Sequence, residues 1–291
     1  MTRVATRGSA LARWQAERVL ERLGGDGELV IVVTSGDQRA DVPLHTIGGT
    51  GVFVKEVQEA VLDGRADIAV HSAKDLPADT PDGLVLGAFP ERGDPRDALV
   101  GSTLDDLPTG GVVATGSVRR RAQLANRRPD LGFAELRGNM QTRLEKAAGF
   151  SAIVVASAAL DRLDLADRID ERLELVDMVP QVGQGALAVE CRADDHATRQ
   201  QLAVIDDEDV RDAVEAERSF LADLGSGCSL PVGAHARVVE RTYDGRTVAI
   251  DGLIASYDGA RICRSSMTHA DPRVAGRELA VELREMFGVV A

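Results

Sequence analysis

A chain of 291 residues, 44% of them apolar, is long for one core and predicts two or three globular domains. Its formal net charge of −13 excludes a general nucleic-acid binder, and no run approaches the roughly 20 apolar residues that span a bilayer. Three cysteines without metal-like spacing exclude a disulfide scaffold and a zinc site, so no metal is expected.

Residues 2–6 read as a strand, Gly8-Ser9 as a turn, and 11–23 as a helix with Leu11, Trp14, Val19 and Leu23 toward one face. The opening text MTRVATRGSALARWQ has no apolar core of a secretory leader, so a cytoplasmic protein is expected. Residues 29–34 form a second expected strand. The glycine-rich stretch 36–51 has little periodicity, and loops of that length are commonly functional lids. A helix over 54–62 and a strand over 68–70 complete a βαβαβ start, which predicts a parallel sheet covered by helices.

That strand runs into the text DIAVHSAKDLP, residues 67–77. Ligands of α/β sheets bind outside the carboxyl ends of strands. Lys74 and Asp75 therefore stand where chemistry is expected. Asp75 reads either as a turn cap paired with Lys74 or as a carboxylate facing a cleft, able to hold a developing cation or pass a proton. His71 reads as hydrogen-bonded structure at a strand end.

The text PERGDPRD, residues 90–97, predicts a crossing into a second α/β lobe. Strands are expected at 112–115, 133–136 and 152–156, with helices from about 118 and over 140–148. QVGQG, residues 181–185, reads as a second hinge, and 186–191 as a strand returning to the first lobe. Two crossings between α/β lobes predict a cleft between them. A helix over 210–224 and three strands near 234–240, 247–255 and 260–267 follow, with hairpin signals at Asp244-Gly245 and Asp258-Gly259. A helix over 272–287 ends at Gly288. The expected domains are 1–89 with 186–204, then 93–182, then a small α+β domain over 207–291. Cys191 and Cys263 lie in strand-like text and read as buried. Cys228 sits in the glycine-bounded loop GSGCSLPVG, where a thiol has no packing reason to be.

Three strand-end turns carry arginine beside glycine or serine: Arg7 with Ser9, Ser117 with Arg119 and Arg120, and Arg137 with Arg143. Arginine runs are often solvated helix faces. At a helix N-terminus, free N–H groups and arginine forks also grip carboxylates or phosphates. The pattern favours a ligand with several anionic groups, and the absence of a Walker A or GxGxxG loop argues against a nucleotide.

Together these residues resemble the porphobilinogen deaminase (hydroxymethylbilane synthase) family. The matching text is ATRGSALARWQA, GGTGVFVKE, RADIAVHSAKDLP, ERGDPRDAL, TGSVRRRAQL, LRGNMQTRL, VGQGALAVEC and GCSLPVG, in order over most of the chain. The resemblance implies two lobes like those of type II periplasmic binding proteins plus a small α+β domain. It implies a cytoplasmic, monomeric transferase of tetrapyrrole biosynthesis. Four porphobilinogen molecules would be condensed head to tail with loss of ammonia, and linear hydroxymethylbilane released by hydrolysis. It implies a dipyrromethane cofactor bound through a thioether to Cys228 and contacted by Lys74, Ser117, Arg119, Arg120 and Arg143. Asp75 matches the catalytic aspartate. Arg7, Ser9, Gln15, Phe53, Arg137, Arg162 and Gln184 would contact substrate, Phe53 by stacking on a pyrrole. Thr50, Gly116 and Ser226 depart from the family pattern, which puts substrate affinity and ordering of the 36–51 loop in question. Two other classes fit part of the residues: a solute-binding protein of the same two-lobe fold, and an acyl- or amidotransferase with Cys228 as nucleophile.

Overall fold

Short β-branched runs become the strands of two five-stranded sheets, and amphipathic runs become the helices that cover them. The computed structural model describes residues 1–38, 53–225, 231–242 and 245–288. Cys228, Thr50, Ser226 and most of the 36–51 loop lie outside the described residues. The chain divides into two units, Met1–Gly93 with Gly185–Arg211 and Asp94–Gln184 with Asp212–Ala291.

In the first unit, β1 (Thr2–Arg7) is followed by α1 (Ala10–Arg22), β2 (Gly27–Val32), the single turn α2 (Ser35–Gln38), α3 (Lys55–Leu62), β3 (Ile68–Ser72) and β4 (Leu84–Ala88). A later strand, β10 (Leu187–Arg192), and α7 (His196–Ala203) complete it. The strand order is β2-β1-β3-β10-β4. β1 is parallel to β2 and β3, but β10 is antiparallel to both β3 and β4, so the sheet is mixed and not the parallel one expected. β3 extends past Val70 because His71 and Ser72 pair with Ala188 and Leu187. Apolarity ends at Val70; backbone pairing does not. Both faces are covered. Val4, Ile68, Leu187, Val189 and Leu202 form one core, and Ala5, Ala69, Val57 and Val61 another. α1 buries Gln15, Ala16, Val19 and Leu20. Its inward face is thus turned by about one residue from the expected stripe, and Trp14 is only half-buried. Cys191 is buried as expected, whereas Cys263 is only half-buried.

The second unit repeats the plan. β5 (Asp97–Val100), β6 (Val112–Ala114), α4 (Val118–Arg127), β7 (Gly132–Ala134), α5 (Met140–Lys146), β8 (Ala152–Ala156), α6 (Ser157–Asp161) and β9 (Glu171–Arg172) give the order β7-β6-β8-β5-β9. Again three strands are parallel and the next is antiparallel. In each sheet the antiparallel strand is the first one after the chain crosses from the other unit: β5 after Gly93, β10 after Gln184. This matches the type II lobe expected from the resemblance. The chain-order reading omits α2, β4, β5, β9, α6 and α7, all short elements, several of them buried too fully to alternate.

The rest of this unit is an antiparallel sheet of β11 (Val232–Thr242), β12 (Gly245–Ala255) and β13 (Ile262–His269). α8 (Glu208–Leu224) and α9 (Pro272–Phe287) pack on it through Phe220, Ile250, Leu279 and Leu283. Asp271 caps α9 ahead of Pro272, and Gly288 ends it at φ 73°, a left-handed position that suits glycine. The small sheet docks on the second lobe. Ala122 and Val179 meet Leu253 and Ala255, and Asn126 donates to the Gly259 carbonyl at 2.9 Å.

Candidate active site

β1 and β3 are parallel, so Arg7 and Ser72 end at the same edge of the first sheet. The chain leaves β1 through Gly8-Ser9 into α1 and leaves β3 through a 3₁₀ turn, Ala73–Asp75. Between these turns lies a cavity of about 60 Å³, lined by Arg7, Ser9, Gln15, Phe53, His71 and Asp75, with Val54, Val57 and Val70 as apolar wall. Six residues singled out from sequence, 68 positions apart at the extremes, share this one cavity. Asp75 is half-buried there. Ser9 caps α1, accepting from Ala12 N at 3.3 Å. Buried Gln15 donates to Ser72 Oγ at 2.8 Å and so ties α1 to the turn that carries Asp75. The Arg7 guanidinium lies 4.2 Å from the centre of the Phe53 ring, a cation–π distance. One face of Phe53 is therefore held by Arg7. Lys74 is half-buried on the Asp75 turn and is not among the cavity's lining residues.

Behind the cavity is a carboxylate the sequence reading passed over. Glu190 on β10 is 1% exposed. Gln58 Nε2 on α3 donates to both its oxygens, at 3.0 and 2.9 Å, and His71 Nε2 lies 3.1 Å from Oε2. Glu190 pairs across the sheet with Ala69, which places His71 as its diagonal neighbour on the same face. An acid inside the apolar run of β10 was the available signal, since Glu is almost never fully buried unless paired.

The corresponding edge of the second sheet carries Asp97, fully buried at the start of β5. Arg119 Nη2 reaches its Oδ2 at 2.8 Å, while Arg120 Nε and Nη2 reach Oδ1 at 2.9 and 2.7 Å. Gln184 Nε2 donates to Oδ1 at 2.9 Å and to the Pro95 carbonyl at 2.8 Å. Burial alone would push the Asp97 carboxyl up. The charges of Arg119 and Arg120, with bonds from Arg120 and Gln184, override it and hold the group well below the usual carboxylate range. Burial pulls Arg119 down, against the opposing pull of Asp97. Both arginines are buried, so neither belongs to a solvated helix face. Ser117 caps α4 above them and accepts from Arg120 N at 3.4 Å.

Arg137 precedes Gly138, whose φ of 116° turns the chain into α5. Arg143 Nε donates to the Gly138 carbonyl at 2.9 Å, and Arg162 is buried just past α6. Among the described residues, Arg119 Nε and Arg137 Nη1 are buried N–H groups without a hydrogen-bond partner. A buried donor left so costs about 1–3 kcal/mol. Such donors fit a ligand that brings its own carboxylates to this unit.

Residues 2–200 match the family model described as porphobilinogen deaminase, dipyromethane cofactor binding domain, and residues 212–285 match porphobilinogen deaminase, C-terminal domain. The porphobilinogen deaminase of Brevibacillus brevis is 45% identical over 291 residues, covering 97% of this chain and 93% of the relative. That of Nitratidesulfovibrio vulgaris (strain DSM 19637 / Miyazaki F) is 46% identical over 296 residues, covering 96% and 92%. Among solved structures, a Salmonella typhimurium periplasmic binding protein of high arginine specificity aligns with a TM-score of 0.39 and 14% identity, covering 70% of this chain and 91% of that one. A TRAP periplasmic solute binding protein from Ralstonia eutropha aligns with a TM-score of 0.39 and 13% identity, covering 99% and 94%. Likeness at that score has no bearing on function.

Proposed function

Because the chain belongs to the porphobilinogen deaminase family, we propose that it is a hydroxymethylbilane synthase, a transferase that condenses four porphobilinogen molecules head to tail, releases ammonia at each step, and hydrolyses off the linear tetrapyrrole. The observation that carries the residue roles is the cavity that Asp75 shares with Arg7, Ser9, Gln15, Phe53 and His71.

Each porphobilinogen bears an acetate, a propionate and an aminomethyl group. Arg7 grips a side-chain carboxylate, its guanidinium held flat by Phe53. Ser9 and the N-terminal end of α1 add donors at the same place. Loss of ammonia leaves positive charge on the pyrrole. Asp75 faces that charge from a half-buried position, where a carboxylate acts more strongly than in water. Gln15 keeps the Asp75 turn in place through Ser72.

The family's cofactor is a dipyrromethane, and the unpartnered N–H groups of Arg119 and Arg137 fit its carboxylates. When bound, it supplies the covalent anchor and the pyrrole end on which the chain grows. Cys228 would hold it through sulfur, and Lys74, Ser117, Arg119, Arg120 and Arg143 would grip its acid groups. Arg137, Arg162 and Gln184 serve the substrate side chains. Asp97 sets one carboxylate against the two guanidinium groups of Arg119 and Arg120, so the cluster as a whole favours a further anion.

We divide the chain into three domains, 1–89 with 186–204, 93–182 and 207–291, and place the enzyme in the cytoplasm as a monomer. No described helix is long and apolar enough to cross a membrane. Intact-mass measurement tests the reading. The purified enzyme should carry an adduct of two pyrrole units that Cys228→Ser abolishes, and should release ammonia from porphobilinogen. An unmodified thiol in active protein refutes the cofactor assignment.

A further inference from the structure

Arg119 is 4% exposed, and its guanidinium is anchored at two of its three nitrogens. Nη2 meets Asp97 Oδ2 at 2.8 Å and Nη1 donates to the Val179 carbonyl at 2.6 Å, while Nε is the buried N–H without a partner. Asp97 stands on β5, in the sheet. Val179 stands in no helix or strand, so no ladder holds its carbonyl. Gln123 supplies what a ladder would. It lies one turn after Arg119 on α4 and is 2% exposed. Its Nε2 donates to the Val179 carbonyl at 3.0 Å, and its Oε1 accepts from Val179 N at 2.9 Å. A primary amide donates and accepts side by side, as pairing with one residue's backbone demands. Arg264 on β13 donates to the same Oε1 and to the Asp177 carbonyl, each at 3.2 Å, so the small sheet braces this segment as well. Gly233 of β11 closes the other side. A Cβ there would stand 2.9 Å from the Val179 carbonyl oxygen and 3.1 Å from Arg119 Cδ.

We propose that Gln123 is a positioning residue for the anion site: by clamping the Val179 backbone it holds the Arg119 guanidinium in the orientation that leaves Nε–H to a ligand carboxylate. This rests on the synthase reading above, in which that carboxylate belongs to the dipyrromethane. A guanidinium is a rigid planar fork, and two anchored Nη groups fix its plane and its rotation within that plane. With the Val179 carbonyl loose, Asp97 would be the remaining anchor, and the guanidinium could turn about it until Nε met an acceptor within the fold. The cost of a buried unpaired donor drives that turn. Gln123 thus keeps in place a donor that the fold leaves unsatisfied and that a bound anion would satisfy. Packing alone does not demand an amide at this position, since a thioether side chain of similar length fills the same space.

The test uses the holoenzyme labelled with ¹⁵N-arginine, the Arg119 Nε–H resonance being assigned by its loss in Arg119→Lys. In the holoenzyme this resonance should lie downfield of its place in Cys228→Ser, because the proton meets a carboxylate. The same comparison in a Gln123→Met background should show no such difference. A difference of wild-type size in that background, or none in the wild type, overturns the proposal. Gln123→Met should also lower kcat about tenfold with KM for porphobilinogen within about threefold, since Arg119 serves the cofactor and not the incoming substrate. Wild-type kcat overturns the proposal. Should Gln123→Met not fold, Gln123→Asn, one methylene too short to reach Val179, takes its place with the same expected outcomes. Intact mass comes first: wild-type protein without a two-pyrrole adduct sinks the synthase reading itself, and this proposal with it.

Discussion

The two lobes share a strand order, and each has an acid at the edge where its parallel strands end, yet the two acids live differently. Asp75 stands half-buried on a one-turn 3₁₀ segment beside a cavity. Asp97 is fully buried and gripped by Arg119, Arg120 and Gln184. The contrast teaches that topology supplies a position, whereas access to water and the choice of partner set what a carboxylate there does. In the first lobe the acid is left at the wall of a cavity. In the second it is spent on fixing two permanent cations.

Asp75→Ala should press on this contrast hardest. Turnover of porphobilinogen should fall about 10³-fold, within the usual range for a lost proton-handling or charge-stabilising group, while the thermal midpoint stays close to wild type. Near-normal turnover would remove Asp75 from the chemistry.

Asp97→Ala should show the opposite profile. It leaves two guanidinium groups buried without their counter-charge, a loss of about 3–5 kcal/mol, read as a lower urea midpoint. A wild-type midpoint would mean that the second lobe does not depend on this pair.

Acid titration sharpens the same point more gently. Asp97 is held well below the usual carboxylate range in the fold, so its contribution to stability is fully present at neutral pH. It is lost only as pH falls beneath that range toward the depressed folded value. Urea midpoints measured from pH 7 downward should therefore drop in strong acid, and Asp97→Asn should flatten that limb. An equal slope in both proteins would break the argument.

The smallest effect concerns a group outside both edges. Burial, aided by Asp195, pushes the Cys191 thiol up to about 11. In a Cys263→Ser background that also carries Cys228→Ser, Cys191 should resist alkylation at pH 8 until the protein is unfolded. Rapid labelling of the folded protein would show the first core to be open.

Much of the site is legible in the sequence because its parts are local. A strand that runs into a turn and a helix is written in adjacent residues, so Arg7, Ser9, Ser117, Arg137 and Asp75 can be placed at strand ends from the order of residues alone. So can α9, bounded by Asp271-Pro272 and Gly288. The small elements β5 and β9 are not legible, since four and two residues carry no periodicity. The direction of β10 is not legible either, because it depends on where the chain re-enters the first sheet.

The sequence by itself determined the family, the two α/β lobes, the small third sheet and the carboxyl-end turns, because strand and helix periods and turn chemistry act over a few residues. Only the tertiary structure decided partners. Asp97 meets arginines about 20 positions on and Gln184 across 87, and Glu190 meets Gln58 across 132. Those pairings arise when strands pair and bury polar groups that must then find each other, a condition that no local pattern records.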